Sequence, residues 1–252
     1  MKRTILAGAA ALGLSSGGAS ALEILHYDDH GAGLVQAALV QLGESATEID
    51  QDDDLAASLG SQAWDVVIID SSANGLSDPA AVSSYVQDGG AVILSYWDTQ
   101  DLPALAADFQ VTVENSYSSP QDINQWLADP MFTTPFPVSD PIAGFIDDFS
   151  DDGDEFSVLP GGLAVAGFSA APSSDRAGIV VGNEGRTIIN GWLFGNWDGS
   201  DGEVVNLVAN QIATLGEARA PAPSSEIPLP AAAPLLAAGL GGLVLARRRR
   251  KR

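Results

Sequence analysis

No cysteine occurs among the 252 residues, so no disulfide can staple the chain and no thiol can act as nucleophile or metal ligand. Histidine is almost as scarce. His26 and His30 are the only two, which leaves no zinc-holding spacing and at most two imidazoles to act as bases. Cations are missing from the middle: of 11 Lys and Arg, only Arg176, Arg186 and Arg219 lie between the two ends, against 33 Asp and Glu. A body so acidic repels nucleic acid phosphate and anionic lipid, and no nucleic-acid partner is expected. It suits water in which salt screens self-repulsion or divalent cations neutralise carboxylates. Without cross-links the fold must rest on its core, which 46% hydrophobic composition can supply.

The ends differ from the body. Lys2 and Arg3 precede an apolar run over residues 4–14, and Ala19-Ser20-Ala21 has the small-x-small form of a cleavage site. Residues 1–21 therefore read as a signal peptide, handed to the Sec translocon and cut by signal peptidase between Ala21 and Leu22. At the other end, residues 217–227 form a Pro, Ala and Ser linker with no means of packing. Residues 229–246 are almost all Ala, Leu, Gly, Val and Pro, close to the roughly 20 residues that cross a bilayer. Six cations follow and assign that end to the cytoplasm.

Pro228, Leu229, Pro230 and Ala231, the apolar span, then Arg247, Arg248, Arg249, Arg250, Lys251 and Arg252 resemble a VPLPA-type sorting signal, a relative of the PEP-CTERM signals. Ile227 stands where that motif has Val. The resemblance covers residues 226–252. It implies an exosortase-type protease that removes the tail, transient anchoring in the inner membrane, and delivery to the cell surface or exopolysaccharide matrix. It implies nothing about the body.

The body, residues 22–216, alternates strands and helices. Residues 22–27 and 46–50 read as strands, with helical spacing at 33–42 and 55–59. Residues 64–70 (WDVVIID) and 91–96 (AVILSY) read as central parallel strands buried on both faces. Between them Ser77 or Asp78 caps a helix that has Pro79 first and ends at Gly89-Gly90. A helix at 101–109, a strand at 110–114 and a short helix at 121–128 follow. Pro130, Pro135, Pro137 and Pro141 exclude regular structure over 129–141. Apolar segments at 162–168, 177–181 and 186–190, the last two joined by hairpin residues, make one sheet edge antiparallel, and 203–215 is a closing helix. The fold class is α/β, an open and mostly parallel sheet with helices on both faces, plus a separate C-terminal transmembrane helix.

In pattern and order, residues 64–98 and 185–199 resemble the class I glutamine amidotransferase-like (flavodoxin-like) fold. Active members of that family carry a Cys after the strand matching 91–96 and a His-x-Glu after a late strand. Here those places hold Ser95-Tyr96-Trp97-Asp98 and Gly191-Trp192-Leu193, so the resemblance implies a body without that catalysis. Loops after parallel strands converge where small molecules bind. Asp28, Asp29, His30, Ser71, Ser72, Tyr96, Trp97 and Asp98 are therefore candidates for one binding crevice, and Asp70 lies beside them. The competing reading is an exported serine hydrolase using Ser95, His30 and Asp98, or His26 as base, although no G-x-S-x-G surrounds Ser95.

Two further candidates remain. Asp148, Ser150, Asp152 and Asp154 fall in an acidic run with partial calcium-loop spacing, but Leu159 takes the place of the closing carboxylate. Calcium is the one ion the sequence suggests, against a solvated loop. Trp192, Phe194 and Trp197 beside Asn196 and Asp198 could stack on sugar or close the end of the sheet.

Overall fold

A computed structural model of the chain describes residues 21–31, 33–116, 122–143, 153–196 and 201–219. The proposed signal peptide up to Ser20, the sorting signal, the apolar span, Asp148, Ser150, Asp152, Trp197 and Asp198 lie outside them. Among the described residues no helix is long and apolar enough to cross a membrane.

Five strands form a contiguous parallel block: β1 (Ile24–Asp28), β2 (Ala46–Ile49), β3 (Val66–Ser71), β4 (Val92–Tyr96) and β10 (Thr187–Asn190), in the order β2-β1-β3-β4-β10. Strands β3, β4 and β10 are buried along their whole length. Beyond β10 the sheet turns antiparallel, with β9 (Ala177–Gly182), β7 (Glu155–Val158) and β5 (Val111–Asn115) continuing it. A side branch adds β8 (Leu163–Gly167) and β6 (Asn124–Gln125).

Helices cover both faces because the alternation of each buried strand sends apolar side chains both ways. Ile24, Ile68, Ile93 and Ile188 pack with α1 (Leu34–Leu42) and α5 (Gly202–Arg219). Leu25, Val67, Leu94 and Ile189 pack with α2 (Leu55–Gly60), α3 (Pro79–Gln87) and α4 (Pro103–Asp108). Starts and stops follow local chemistry. Asp54 accepts from Ala57 N at 2.9 Å, Asp78 from Ala81 N at 3.0 Å and Asp201 from Glu203 N at 3.0 Å, each an N-cap. Gly43, at φ 76°, ends α1 in the left-handed conformation that glycine adopts without strain.

The antiparallel part is broader than an edge hairpin. The strand expected at 110–114 forms, as β5, but at the far end of the sheet, and β10 takes the place beside β4. Burial accounts for both places, since β10 is wholly buried whereas β5 is half-exposed and fits an edge. Of the helix expected at 121–128, the described residues 122–128 are not helical. Ile123 exchanges backbone bonds with Ile142, and Trp126 N donates to Val165 O at 2.8 Å, so this stretch extends beside β8. Ile123, Trp126 and Leu127 have helical spacing in sequence, but β8 offered an open ladder and the neighbouring prolines blocked helix growth. Strand β7 was not anticipated, and α5 continues through Glu217, Ala218 and Arg219, residues assigned to the linker.

Candidate functional site

The four central parallel strands end in register, so Asp28, Asp70, Ser95 and Asn190 stand side by side across the sheet. By strand alternation they share the face that α1 and α5 cover. Such a polar row at the carboxyl ends is where α/β sheets place their sites. Each side chain here is already committed.

Ser95 is fully buried, and its hydroxyl donates to Trp192 O at 3.1 Å and accepts from Phe194 N at 3.0 Å. Neither bond goes to an imidazole. Asn190 and Gln211 of α5, both buried, exchange paired amide bonds at 3.1 and 2.9 Å. Asp70, 2% exposed, accepts from Ser72 Oγ at 2.7 Å, and Ser72 Oγ in turn accepts from Gly195 N at 3.0 Å. Burial pushes the Asp70 carboxyl up to about 7, only partly opposed by the Ser72 bond and by nearby His26. The turn Phe194–Asn196 thus lies over the ends of β3 and β4. A Cβ on Gly195 would come within 2.5 Å of Ser72 Cβ and 3.1 Å of His30 Cδ2, so only glycine allows this approach.

The remaining candidates are arranged around that plug. Asp29 is a clamp: its carboxylate accepts from Ser71 Oγ at 3.0 Å, Ser72 N at 2.8 Å, Ala73 N at 3.1 Å and Asn74 N at 2.9 Å, fixing the loop after β3. Asp28 accepts from His30 N and Gly31 N at 2.9 and 2.7 Å, an Asx turn. Tyr96 lies on the opposite face, where burial first of all raises its hydroxyl pKa. Trp97 packs partly buried on that same face, its backbone N–H donating to Ser71 O at 3.2 Å, and Asp98 accepts from Gln100 Nε2 at 2.9 Å.

The expected single crevice is therefore divided, because residues 191–196 fill its centre. Asp28, Asp29 and His30 line an open acidic cavity of about 380 Å³ with Glu48, Asp50 and Asp53, whereas Ser71, Ser72, Tyr96, Trp97 and Asp98 are not in its wall. Among the described residues no group of three or more His, Cys, Asp or Glu is placed to hold a metal ion. Asp154, of the calcium run, is 2% exposed, and its backbone N–H donates to Gly191 O at 2.7 Å. Trp192 and Phe194 are 1% and 0% exposed with ring centroids 4.8 Å apart, which makes them core. His26 is fully buried in β1; Glu48 Oε1 lies 3.8 Å from its Nδ1, and its Nε2 has no partner among the described residues. The His26 hydrogen bond, foremost, holds the Glu48 carboxyl below its ordinary value. Sequence reasoning named Ser95 and Asp70 but missed Asn190 and Gln211, whose amides carry no motif.

No family model and no curated protein matches the sequence. Among solved structures, a GMP synthase subunit from Thermoplasma acidophilum is similar with a TM-score of 0.54 and 11% identity, over 80% of this chain and 98% of that one. The body has an amidotransferase-like fold. PurLQS from Thermotoga maritima also matches, at a TM-score of 0.45 and 12% identity, over 77% of this chain and 98% of that one. At these identities the likeness concerns backbone alone. In this chain β4 leads into Trp97-Asp98 and β10 into Gly191-Trp192-Leu193.

Proposed function

We propose that this is an exported protein, sorted to the cell surface or exopolysaccharide matrix, whose amidotransferase-like body has a binding or structural role rather than a catalytic one. The observation that carries the non-catalytic part is the commitment of Ser95. A nucleophilic serine needs an accessible oxygen and a base within about 3.2 Å. Here both hydrogen bonds of the hydroxyl tie the β4 end to the turn after β10, in a place without solvent. The paired Asn190 and Gln211 amides fill the next position of the row in the same way.

Export and sorting rest on the ends of the sequence: the basic start and small-residue site before Leu22, and the Pro-Leu-Pro motif, apolar span and six terminal cations. Surface or matrix deployment also agrees with a chain that carries 33 acidic side chains, all but Glu217 and Glu226 in the body, and no cysteine. The partners this reading requires are the Sec translocon, signal peptidase and an exosortase-type protease, with exopolysaccharide as candidate ligand.

Mass spectrometry of the protein recovered outside native cells tests the proposal. A chain beginning at Leu22 and lacking Arg247 to Arg252 is expected, and an intact basic tail overturns the sorting reading. A fluorophosphonate probe separates the enzyme alternative, since labelling of Ser95 would establish a reactive serine.

A further inference from the structure

Two carboxylates hold the chain where it enters β1. Leu22 N donates to Glu44 Oε2 at 3.1 Å, and the next amide, Glu23 N, donates to Asp65 Oδ2 at 3.0 Å. Local structure fixes both acceptors. Gly43 N donates to Val40 O at 3.1 Å and Glu44 N to Leu39 O at 2.9 Å, the paired bonds of a Schellman motif, so Glu44 leaves α1 in a set direction. Asp65 N donates in return to Glu23 O at 2.7 Å. The Leu22 side chain is seated as well. It packs on the core, and a Cβ on Gly216 of α5 would lie 2.7 Å from its Cδ1, so α5 needs glycine where Leu22 rests. Ala21, one position earlier, is exposed.

A half-buried carboxylate is a stronger acceptor than one neutral amide requires. Among the described residues Glu44 accepts only the Leu22 bond and has no cationic partner, since the ion pairs there join Glu48 to His26 and Glu155 to Arg176. Cleavage between Ala21 and Leu22 changes the donor. Water adds across that peptide bond, its hydroxyl going to the Ala21 carbonyl carbon. The Leu22 nitrogen takes the remaining hydrogen and the proton of the new acid, leaving a carboxylate on Ala21 and an ammonium on Leu22.

We propose that Glu44 is the seat of the Leu22 α-ammonium, so that removal of the signal peptide turns a neutral contact into an ion pair fastening β1 to the loop between α1 and β2. The proposal rests on the cleavage position read above. A charge-assisted bond is about twice as strong as a neutral one, and the entry to β1 is therefore held more firmly in the exported chain than in its precursor.

Scarcity of lysine makes the site measurable. A chain of residues 22–252, released from an N-terminal ubiquitin fusion so that Leu22 comes first, has two amines, the Leu22 α-amine and Lys251. Lys251 serves as the internal reference. With an N-hydroxysuccinimide ester at about pH 7, Glu44→Gln is expected to raise acylation of Leu22 relative to Lys251 at least threefold, because a facing carboxylate keeps an amine protonated. Gln keeps the shape and an acceptor oxygen, so simple shielding would not change. An unchanged ratio overturns the proposal. Melting temperatures of this chain and of the full chain, in one detergent buffer, give a second reading. The drop caused by Glu44→Gln is expected to be about twofold larger in the chain that starts at Leu22, and equal drops overturn the proposal. Both measurements use a start set by design, so they can succeed even where the exported protein begins elsewhere. Mass spectrometry of that exported protein tests the cleavage position separately.

Discussion

Asp70 is the residue at which the chain trades stability for order. A carboxyl raised from 3.8 to about 7 keeps its proton longer in the folded chain than in the unfolded one. Its favourable contribution is therefore complete below about pH 4 and is lost as pH rises through about 7. Asp70→Asn keeps the acceptor for Ser72 and removes the ionisation. It is expected to stabilise the protein above pH 7 by up to about 4 kcal/mol, and to leave it nearly unchanged at pH 4, in urea denaturation at the two pH values. Ser95→Ala runs the other way. Loss of the hydroxyl takes the acceptor from buried Phe194 N–H and a donor from Trp192 C=O, at a cost of about 1–3 kcal/mol at any pH in the same measurement.

Among the elements, the turn Phe194–Asn196 and helix α5 do most to close the sheet. Gly195→Ala places a methyl group against Ser72 and His30 and is expected to cost about 1–3 kcal/mol, with faster amide exchange at Gly195 and Ser72. Asn210 of α5 works similarly from beneath, donating to Met131 O at 2.9 Å and accepting from Phe136 N at 3.0 Å, which pins the proline-rich stretch. The central strands and caps were readable beforehand because β-branched runs, Asp54, Asp78 and Pro79 act locally. Strand order was not, since nothing in residues 110–114 says that β10, more than seventy positions later, fills the gap beside β4. The misread helix at 121–128 failed for a related reason: a two-residue pairing with β8 is a tertiary event that local spacing cannot signal. The candidate site was legible as polar strand ends and illegible as a closed network, because residues 97 to 123 positions apart make its bonds.

For the whole molecule, charge governs conditions of use. With Asp and Glu outnumbering Lys and Arg by 33 to 11, most of the cations at the ends, the folded body repels itself at low ionic strength. Raising NaCl from about 0.1 M to about 1 M shortens the screening length from about 10 to about 3 Å, and the melting temperature is expected to rise by about 5 °C in a thermal scan. Calcium at about 1 mM is expected to add little beyond its ionic strength, and a larger rise would assign a site to the acidic run at 147–155.

Strand β9 belongs to both halves of the sheet, pairing with β10 on one side and with β7 and β8 on the other. Among the described strands it is the seam between a block built from crossovers and an extension built from hairpins. A body tethered through α5 and gripped at the β5 edge would transmit tension across the four residue pairs that zip β9 to β10. Under load those pairs share the tension with the bonds that Asn206 and Asn210 of α5 make to residues 131–137, so the two halves are expected to separate only when both sets give way.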